Sequence, residues 1–516
     1  MPASRERYGA IVIGSGLGGL TAAARLARAG VPVLVIERGT AVGGFATTFR
    51  RGDYTFEVSL HEMDAPFQGA IKRQMFEQLG VYGAVEFVKI PEFFRYLKGD
   101  IDLTVPHDAQ GAIEAYAAKW PAERKGIRRF FDSIMGIMRE IDRLPSSPLG
   151  MTLALPVFPL LYPRVTFNQR TTVAGLLRHI RGEELKMALM ANLGYYHDDP
   201  ASASALFYSV AQGSYLSGGG YYIKGGSQKL SGHLARVVVE NGGEVLTRHQ
   251  VTRVLVEQGR AAGVEYARVS GEKGAVHTAR APVVAANAAV PLVVNRMAPD
   301  AFPPEYRARI NALTAGPSAT AVYIGMRKPL RELGSRAYAT FMVDPRVRTL
   351  AELAEPARSP FEKEFSFADY SQVDSGLAPE GKGVVCAAAI DRLDRWEKLS
   401  ETEYQARKEM AASRAVARLE EIVPGAARHV EVVEVGTPKT MMRYTANPGG
   451  AIYGFAQTPA QAGRFRLPNR SPVAGLYFAS AWAMPGGGFT GAMMSGWFAS
   501  QEILRREKRY LARAAK

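Results

Sequence analysis

Ala10-Ile11-Val12-Ile13-Gly14-Ser15-Gly16-Leu17-Gly18-Gly19 decides the fold, together with a second apolar run, Val33-Leu34-Val35-Ile36, that closes on Glu37. The pattern predicts a buried strand, a tight turn, a helix from about Leu17 to Ala29 and a second parallel strand. Gly14 lets the chain turn sharply, Gly16 lets backbone N–H groups approach a pyrophosphate, and Gly19 lets the helix pack close to the sheet. The helix aims its positive N-terminal end at the phosphates and stops at Gly30, a residue suited to the left-handed C-cap. Glu37 stands where a carboxylate meets the ribose hydroxyls of an adenosine. Gly18 and Leu17, at the start of the helix, belong to the same cradle. This is a dinucleotide-binding βαβ unit, and by itself it leaves NAD and FAD both open.

The next residues choose between them. Arg38-Gly39-Thr40-Ala41-Val42-Gly43-Gly44 follows Glu37 directly, and Phe49-Arg50-Arg51-Gly52-Asp53-Tyr54-Thr55-Phe56-Glu57 comes soon after. An acid ending the second strand, then a Gly-Gly pair, resembles the extended FAD motif of the amine oxidase and phytoene desaturase flavoproteins. Bare backbone at Gly43-Gly44 can press against a ribityl chain and phosphates where any side chain would collide.

At 516 residues the chain has room for two to four domain equivalents and a sizeable core. With 47% apolar and 22% charged residues it is globular rather than disordered. The single cysteine, Cys386, lies in Gly383-Val384-Val385-Cys386-Ala387-Ala388-Ala389, an expected buried strand. With no disulfide framework or thiol pair to form, a reducing cytoplasm is expected and redox chemistry must use a cofactor. The eight histidines show no metal-ligand spacing, so no metal is expected. The net charge of +15 is spread along the chain without a nucleic-acid-binding module, which argues against nucleic acid as a partner. It reads either as a plain solvated surface or as one attracted to an anionic membrane, where each basic residue contributes about 1 kcal/mol.

No run of about 18 apolar residues is uninterrupted, so no spanning helix is expected. Met1-Pro2-Ala3-Ser4-Arg5-Glu6-Arg7 leads directly into the first strand, so no signal peptide is expected. Within 151–164, Met151-Thr152-Leu153-Ala154-Leu155-Pro156-Val157-Phe158-Pro159-Leu160-Leu161-Tyr162-Pro163-Arg164 is apolar but broken by three prolines. Flanked by Arg164 and Arg170, it reads either as a loop packed under a cap or as a patch that dips into the inner face of the cell membrane.

The rest of the flavin site lies far downstream. Tyr221-Tyr222-Ile223-Lys224-Gly225-Gly226-Ser227 leads into a helix reaching Glu240, followed by short β-like runs at 244–246, 251–256 and 263–266 and a buried strand, Val283-Val284-Ala285-Ala286-Asn287. Near the end, Gly475-Leu476-Tyr477-Phe478-Ala479-Ser480 reads as a strand, Pro485-Gly486-Gly487-Gly488-Phe489 as a turn, and 490–506 as a helix. Glycines at a helix entrance suit the flavin pyrimidine edge, where negative charge develops on reduction. This order resembles the carotenoid desaturase, carotenoid isomerase and retinol saturase superfamily over nearly the whole chain. The stretch Gly218 to Gly226 and the stretch Thr437 to Gly454 resemble the saturase and isomerase branches more closely. Trp482-Ala483-Met484 departs from the family's usual Gly-Thr-His before the C-terminal proline, so no relative's acid/base chemistry carries over directly.

The resemblance implies an α/β protein with an α+β cap: a discontinuous, Rossmann-like FAD-binding domain of the glutathione reductase/amine oxidase type and a separate substrate cap. FAD-binding parts are expected at 1–74, 215–299 and 441–516, and cap parts at 75–214 and 300–440. Non-covalent FAD is expected to be held by Gly14, Gly16, Leu17, Gly18, Gly19, Glu37, Arg38, Gly43, Gly44, Val251, Asn287, Gly487, Gly488 and Met493. The implied activity is hydride transfer between flavin N5 and carbon–carbon bonds of a long apolar polyene, carotenoid- or retinoid-like or a polyketide polyene as in polycyclic tetramate macrolactam pathways. A reductive saturase or cyclase, with NADH or NADPH visiting transiently, is favoured over a desaturase or a cis-trans isomerase. The Rab GDP-dissociation inhibitors, which share the architecture and bind prenylated proteins without catalysis, are the alternative of another class. His61, Glu62 and Arg443 are the candidate catalytic groups, with 195–199 a weaker candidate set. Phe93, Phe94, Tyr96, Tyr195, Tyr196, Phe207 and Tyr208 are candidates to line a polyene tunnel. The oligomeric state is left open.

Overall fold

In the computed structural model, which describes residues 7–145, 148–269, 275–355, 357 and 359–514, the strand Ala10–Ile13 is the middle member of a five-stranded parallel sheet. The order is Glu244–Leu246, Val33–Ile36, Ala10–Ile13, Val284–Ala286, Leu476–Phe478, with Val12 in register with Val35 on one side and Ala285 on the other. Residues 1–6, at the expected leaderless start, lie outside the described residues.

Every residue of Ala10–Ile13 is buried, because layers cover both faces of the sheet. Ala10 and Val12 point into one core with Val33 and Val35, while Ile11 and Ile13 point into another with Val251, Val254 and Val264. The first face is covered by helices Leu17–Arg28, Gln228–Glu240 and Phe489–Arg506. The second is covered by the antiparallel strands His249–Glu257, Arg260–Arg268 and His277–Arg280. Helix Leu17–Arg28 ends at Ala29, followed by Gly30 at φ +79°. Its crossing with Phe489–Arg506 depends on missing side chains: a Cβ on Gly18 would strike the carbonyls of Ala479 and Ala492, and one on Gly496 would strike the carbonyl of Gly18.

A second sheet has seven strands in the order Val430–Gly436, Ser318–Met326, Gly383–Asp391, Glu364–Asp369, Ala339–Val343, Phe94–Lys98, Ile101–Val105. Neighbours are antiparallel except Ala339–Val343 with Phe94–Lys98. Cys386 is buried in it, as expected. One face packs on helix Glu401–Ile422 through Val322, Ile324, Val385 and Ala387. The other is the floor of a chamber in which Ala321, Ala388, Ser366 and Phe341 stand in register across four strands. Helices Arg124–Asp142 and Ala205–Gly218, packed on each other, contribute walls to that chamber. Among the described residues no helix is long and apolar enough to cross a membrane.

Candidate active site

One cavity of about 1980 Å³ runs from the glycine turn of the parallel sheet to the floor of the seven-stranded sheet. Sites for a single small ligand occupy roughly 300–1,000 Å³, so this space is sized for two long ligands end to end. At the sheet end the surface is bare backbone held in place by polar contacts. Glu37 accepts hydrogen bonds from Ser15 N (2.8 Å), Ser15 Oγ (2.7 Å) and Gly39 N (2.6 Å), which fixes its carboxylate at the cavity wall. Gly43 N donates to Ser15 O at 2.9 Å, tying the second glycine pair to the first turn. A Cβ on Gly16 would lie 2.7 Å from Asn287 Nδ2, while the Gly19 N–H donates to Asn287 Oδ1 at 3.0 Å. Gly43 (φ +122°) and Gly44 (φ +62°) hold backbone angles that other residues rarely adopt. Across the cavity, Gly486, Gly487 and Gly488 bring in the N-terminus of helix Phe489–Arg506, which has no side-chain cap.

Where the cradle meets the chamber stands the loop Val58–Glu62. Its main chain is pinned from both sides. Tyrosine hydroxyls donate to four of its carbonyls: Tyr323 to Val58 (2.9 Å), Tyr370 to Leu60 (3.0 Å), Tyr338 to His61, and Tyr215 to Glu62 (3.2 Å). The buried Glu57 carboxylate accepts from the N–H groups of Ser59 (3.3 Å) and Leu60 (3.2 Å) and from Ser227 N (2.7 Å) and Oγ (2.6 Å). Burial outweighs those bonds and pushes Glu57 up to about 6. His61 Nδ1 lies 2.8 Å from the Tyr195 hydroxyl, and burial pushes the imidazole down to about 4, so it is neutral at pH 7. Burial and the nearby Glu92 carboxylate hold Glu62 well above the usual carboxylate range, and its Oε2 has no partner among the described residues. It stands at the cavity wall, where burial favours its protonated form. Beyond it, Asp64 is ion-paired with Lys72 and accepts from Thr490 Oγ1 at 2.6 Å, linking the loop to the start of helix Phe489–Arg506.

The model for flavin containing amine oxidoreductases matches residues 17–504. The chain belongs to that family. It is an FAD-dependent oxidoreductase, and the bare, polar-edged cradle fits an extended dinucleotide. The chain is 26% identical over 549 residues to all-trans-retinol 13,14-reductase of Danio rerio, covering 97% of this chain and 86% of that protein. It is 26% identical over 510 residues to the chloroplastic prolycopene isomerase of Daucus carota, covering 96% of this chain and 79% of that one. A putrescine oxidase structure shares the fold at a TM-score of 0.65 with 16% identity, over 97% of this chain and 99% of its own.

The structure brings Gly14, Gly16, Leu17, Glu37, Arg38, Gly43, Gly44, Val251, Asn287, Gly487 and Gly488 to one cavity, with His61 and Glu62 beside them. It does not bring four others there. Gly18 and Gly19 face the packing interfaces of their helix, against the backbone of Ala479 and Ala492 and of Gly14 respectively. Met493 is fully buried in the core, and its neighbours Ala492 and Met494 border the cavity instead. Arg443 is exposed on helix Pro438–Thr445, its guanidinium over the Tyr444 ring, while Met441 and Thr445 turn inward. Of the seven aromatic candidates, Tyr195, Tyr196 and Phe207 line the chamber; Phe93, Phe94, Tyr96 and Tyr208 are buried in the core away from it. His197 pairs with Asp198 at 3.1 Å outside the cavity. Sequence reasoning missed the tyrosine clamp, the Asp64–Lys72 pair and Glu364, whose residues lie in ordinary strands and helices or, for Tyr338 and Tyr370, in the turns beside them.

Proposed function

We propose that this oxidoreductase adds hydrogen across a carbon–carbon double bond of a long apolar polyene, carotenoid- or retinoid-like or a polyketide polyene. The observation that carries the reading is the junction itself: between a dinucleotide cradle and a long apolar chamber stand a neutral imidazole and a carboxyl that burial holds well above its ordinary range, its Oε2 without a partner among the described residues. Bound FAD supplies or takes up a hydride. Gly14, Gly16, Glu37, Arg38, Gly43, Gly44, Val251, Asn287, Gly487 and Gly488 hold it, with Gly18, Gly19 and Met493 shaping the helices behind. The aromatic and aliphatic walls exclude water and keep the polyene extended. Glu62 Oε2 holds the proton that a carbon next to the reduced one requires, and His61, fixed through Tyr195, orients the substrate beside it. In this reading 75–214 and 300–440 form the substrate cap over an FAD unit built from 1–74, 215–299 and 441–516. The likeness to the retinol reductase supports the reductive direction. The equal likeness to the prolycopene isomerase favours polyene isomerisation as the second reading.

The chamber also has a mouth suited to lipid. Met151, Leu155, Phe158 and Phe167 border the cavity while Leu149, Leu153, Leu160 and Leu161 of the same short helices are exposed. In our reading this patch, beside Arg164 and Arg170, docks on the anionic inner face of the cell membrane and admits the polyene. The test of the reaction is anaerobic. Bleaching of the flavin by NADH or NADPH, followed by reoxidation on adding a polyene with loss of one double bond, supports reduction. Bleaching by the polyene alone refutes the direction and supports desaturation.

A further inference from the structure

The chamber floor carries one group that a hydrocarbon has no use for. Beside the row Ala321, Ala388, Ser366 and Phe341 runs a second row bordering the cavity, in which Ala319 pairs with Ile390 and Val343 with Glu364. Other buried acids of these strands have donors: Asp369 accepts from Ser371 and Gln372, and Asp391 from Thr320 and Trp396. Among the described residues none donates a hydrogen bond to Glu364; Asp198, of like charge, and Lys363 act on it through space, and Tyr96 lies within its electrostatic reach. Burial pushes its carboxyl up to about 7, so it enters the cavity able both to donate and to accept. An unpartnered carboxyl in an apolar wall costs stability, and the cost is removed when a ligand supplies the missing hydrogen bond.

Its position suits the end of a linear ligand. Ser366, two residues along the strand and so about 7 Å away, donates its hydroxyl to Ala388 O at 3.4 Å and lies beside Tyr195, whose hydroxyl meets His61 Nδ1 at 2.8 Å. Polar contacts thus run along one wall from His61 through Tyr195 to Ser366, and Glu364 stands one strand repeat further from the reacting end. We propose that the substrate is a polyene bearing a hydroxyl at one terminus, and that Glu364 holds this hydroxyl while the chain extends toward His61 and Glu62. The assignment rests on the polyene reading above and narrows it to a hydroxylated member.

The test is equilibrium binding to the FAD-loaded protein of two probes, all-trans-retinol and the hydrocarbon in which its CH₂OH group is replaced by CH₃. The alcohol is expected to bind about tenfold tighter or more, the difference one buried hydrogen bond makes. In Glu364→Leu the preference disappears while flavin absorbance and hydrocarbon binding persist; Glu364→Gln keeps part of it. Equal binding of the two probes by the unmodified protein overturns the hydroxyl assignment and leaves the polyene reading standing, as does a preference that survives in Glu364→Leu. Binding of neither probe overturns both. The comparison in the unmodified protein decides the matter even where a variant fails to fold.

Discussion

The hydroxyl of Tyr338 donates to the main-chain carbonyl of His61, so the residue at the junction of cradle and chamber is held through its backbone by a side chain 277 positions away. Tyr323, Tyr370 and Tyr215 hold Val58, Leu60 and Glu62 in the same manner. Such a loop is pre-organised: its side chains are placed before substrate arrives. Removing one hydroxyl leaves a buried carbonyl unpaired, at about 1–3 kcal/mol. Tyr338→Phe is therefore expected to bind FAD, to unfold at a lower temperature and to turn over more slowly. Calorimetry and steady-state kinetics check this; a lowered melting temperature with unchanged kcat would mean that the clamp serves stability alone.

His61→Ala is expected to retain bound FAD and lose most turnover, and unchanged turnover would remove His61 from the reaction. The residue also sets a pH signature. Its pKa is about 4 in the folded chain and near 6.5 when unfolded. As pH falls from about 6.5 to 4, the unfolded state takes up a proton that the folded state refuses, so folding loses up to about 3 kcal/mol. Against His61→Gln, the unmodified protein should lose stability over that window and show a constant difference above it. Denaturant titrations at pH 4, 5, 6.5 and 8 measure the difference; a flat profile contradicts a buried neutral imidazole.

Glycines of the cradle should be separable by what they carry. Gly43 combines φ +122° with a backbone carbonyl, that of Ala46, where a Cβ would go, whereas Gly30, at φ +79°, has open space around it. Gly43→Ala is expected to purify largely free of flavin. Gly30→Ala is expected to stay yellow and lose only the roughly 1 kcal/mol of left-handed strain. The ratio of flavin to protein absorbance in the purified variants decides it, and a fully yellow Gly43→Ala would sink the assignment.

The legible part of this molecule was the part written locally. A strand, a glycine turn, a helix stop and an acid follow one another within 10–37, and the structure sets them in a parallel sheet in that order. Helix faces were less legible. Arg443 and Met441 are two residues apart, about 200° around a helix, and one faces solvent while the other faces the cavity. Met493 failed for the same reason, flanked by two residues that do reach the cavity. A strand pattern hid Glu364 and the clamp tyrosine at 323, because alternation says that a side chain is inward without saying whether a core or a cavity lies there; the clamp tyrosines at 338 and 370 stand just outside the ends of strands Ala339–Val343 and Glu364–Asp369, where no alternation marks them.

The mouth of the chamber gives the last prediction. Leu160 is 82% exposed and Leu153 is 69% exposed, in short helices whose other residues, Leu155 and Phe158, border the cavity. Each leucine that enters the acyl boundary contributes about 1.5–3 kcal/mol, and the neighbouring Arg164 and Arg170 add attraction to acidic lipid. The protein is therefore expected to sediment with phosphatidylglycerol vesicles, less so with phosphatidylcholine or at high salt. Leu153→Glu combined with Leu160→Glu should reduce that partition at least tenfold while leaving flavin content and melting temperature unchanged, because neither side chain touches the cradle. Turnover of a polyene dissolved in vesicles should then fall, and turnover of the same polyene dispersed in detergent should persist. A parent protein that stays in the supernatant, or a variant that sediments as the parent does, would assign the exposed leucines to some other contact.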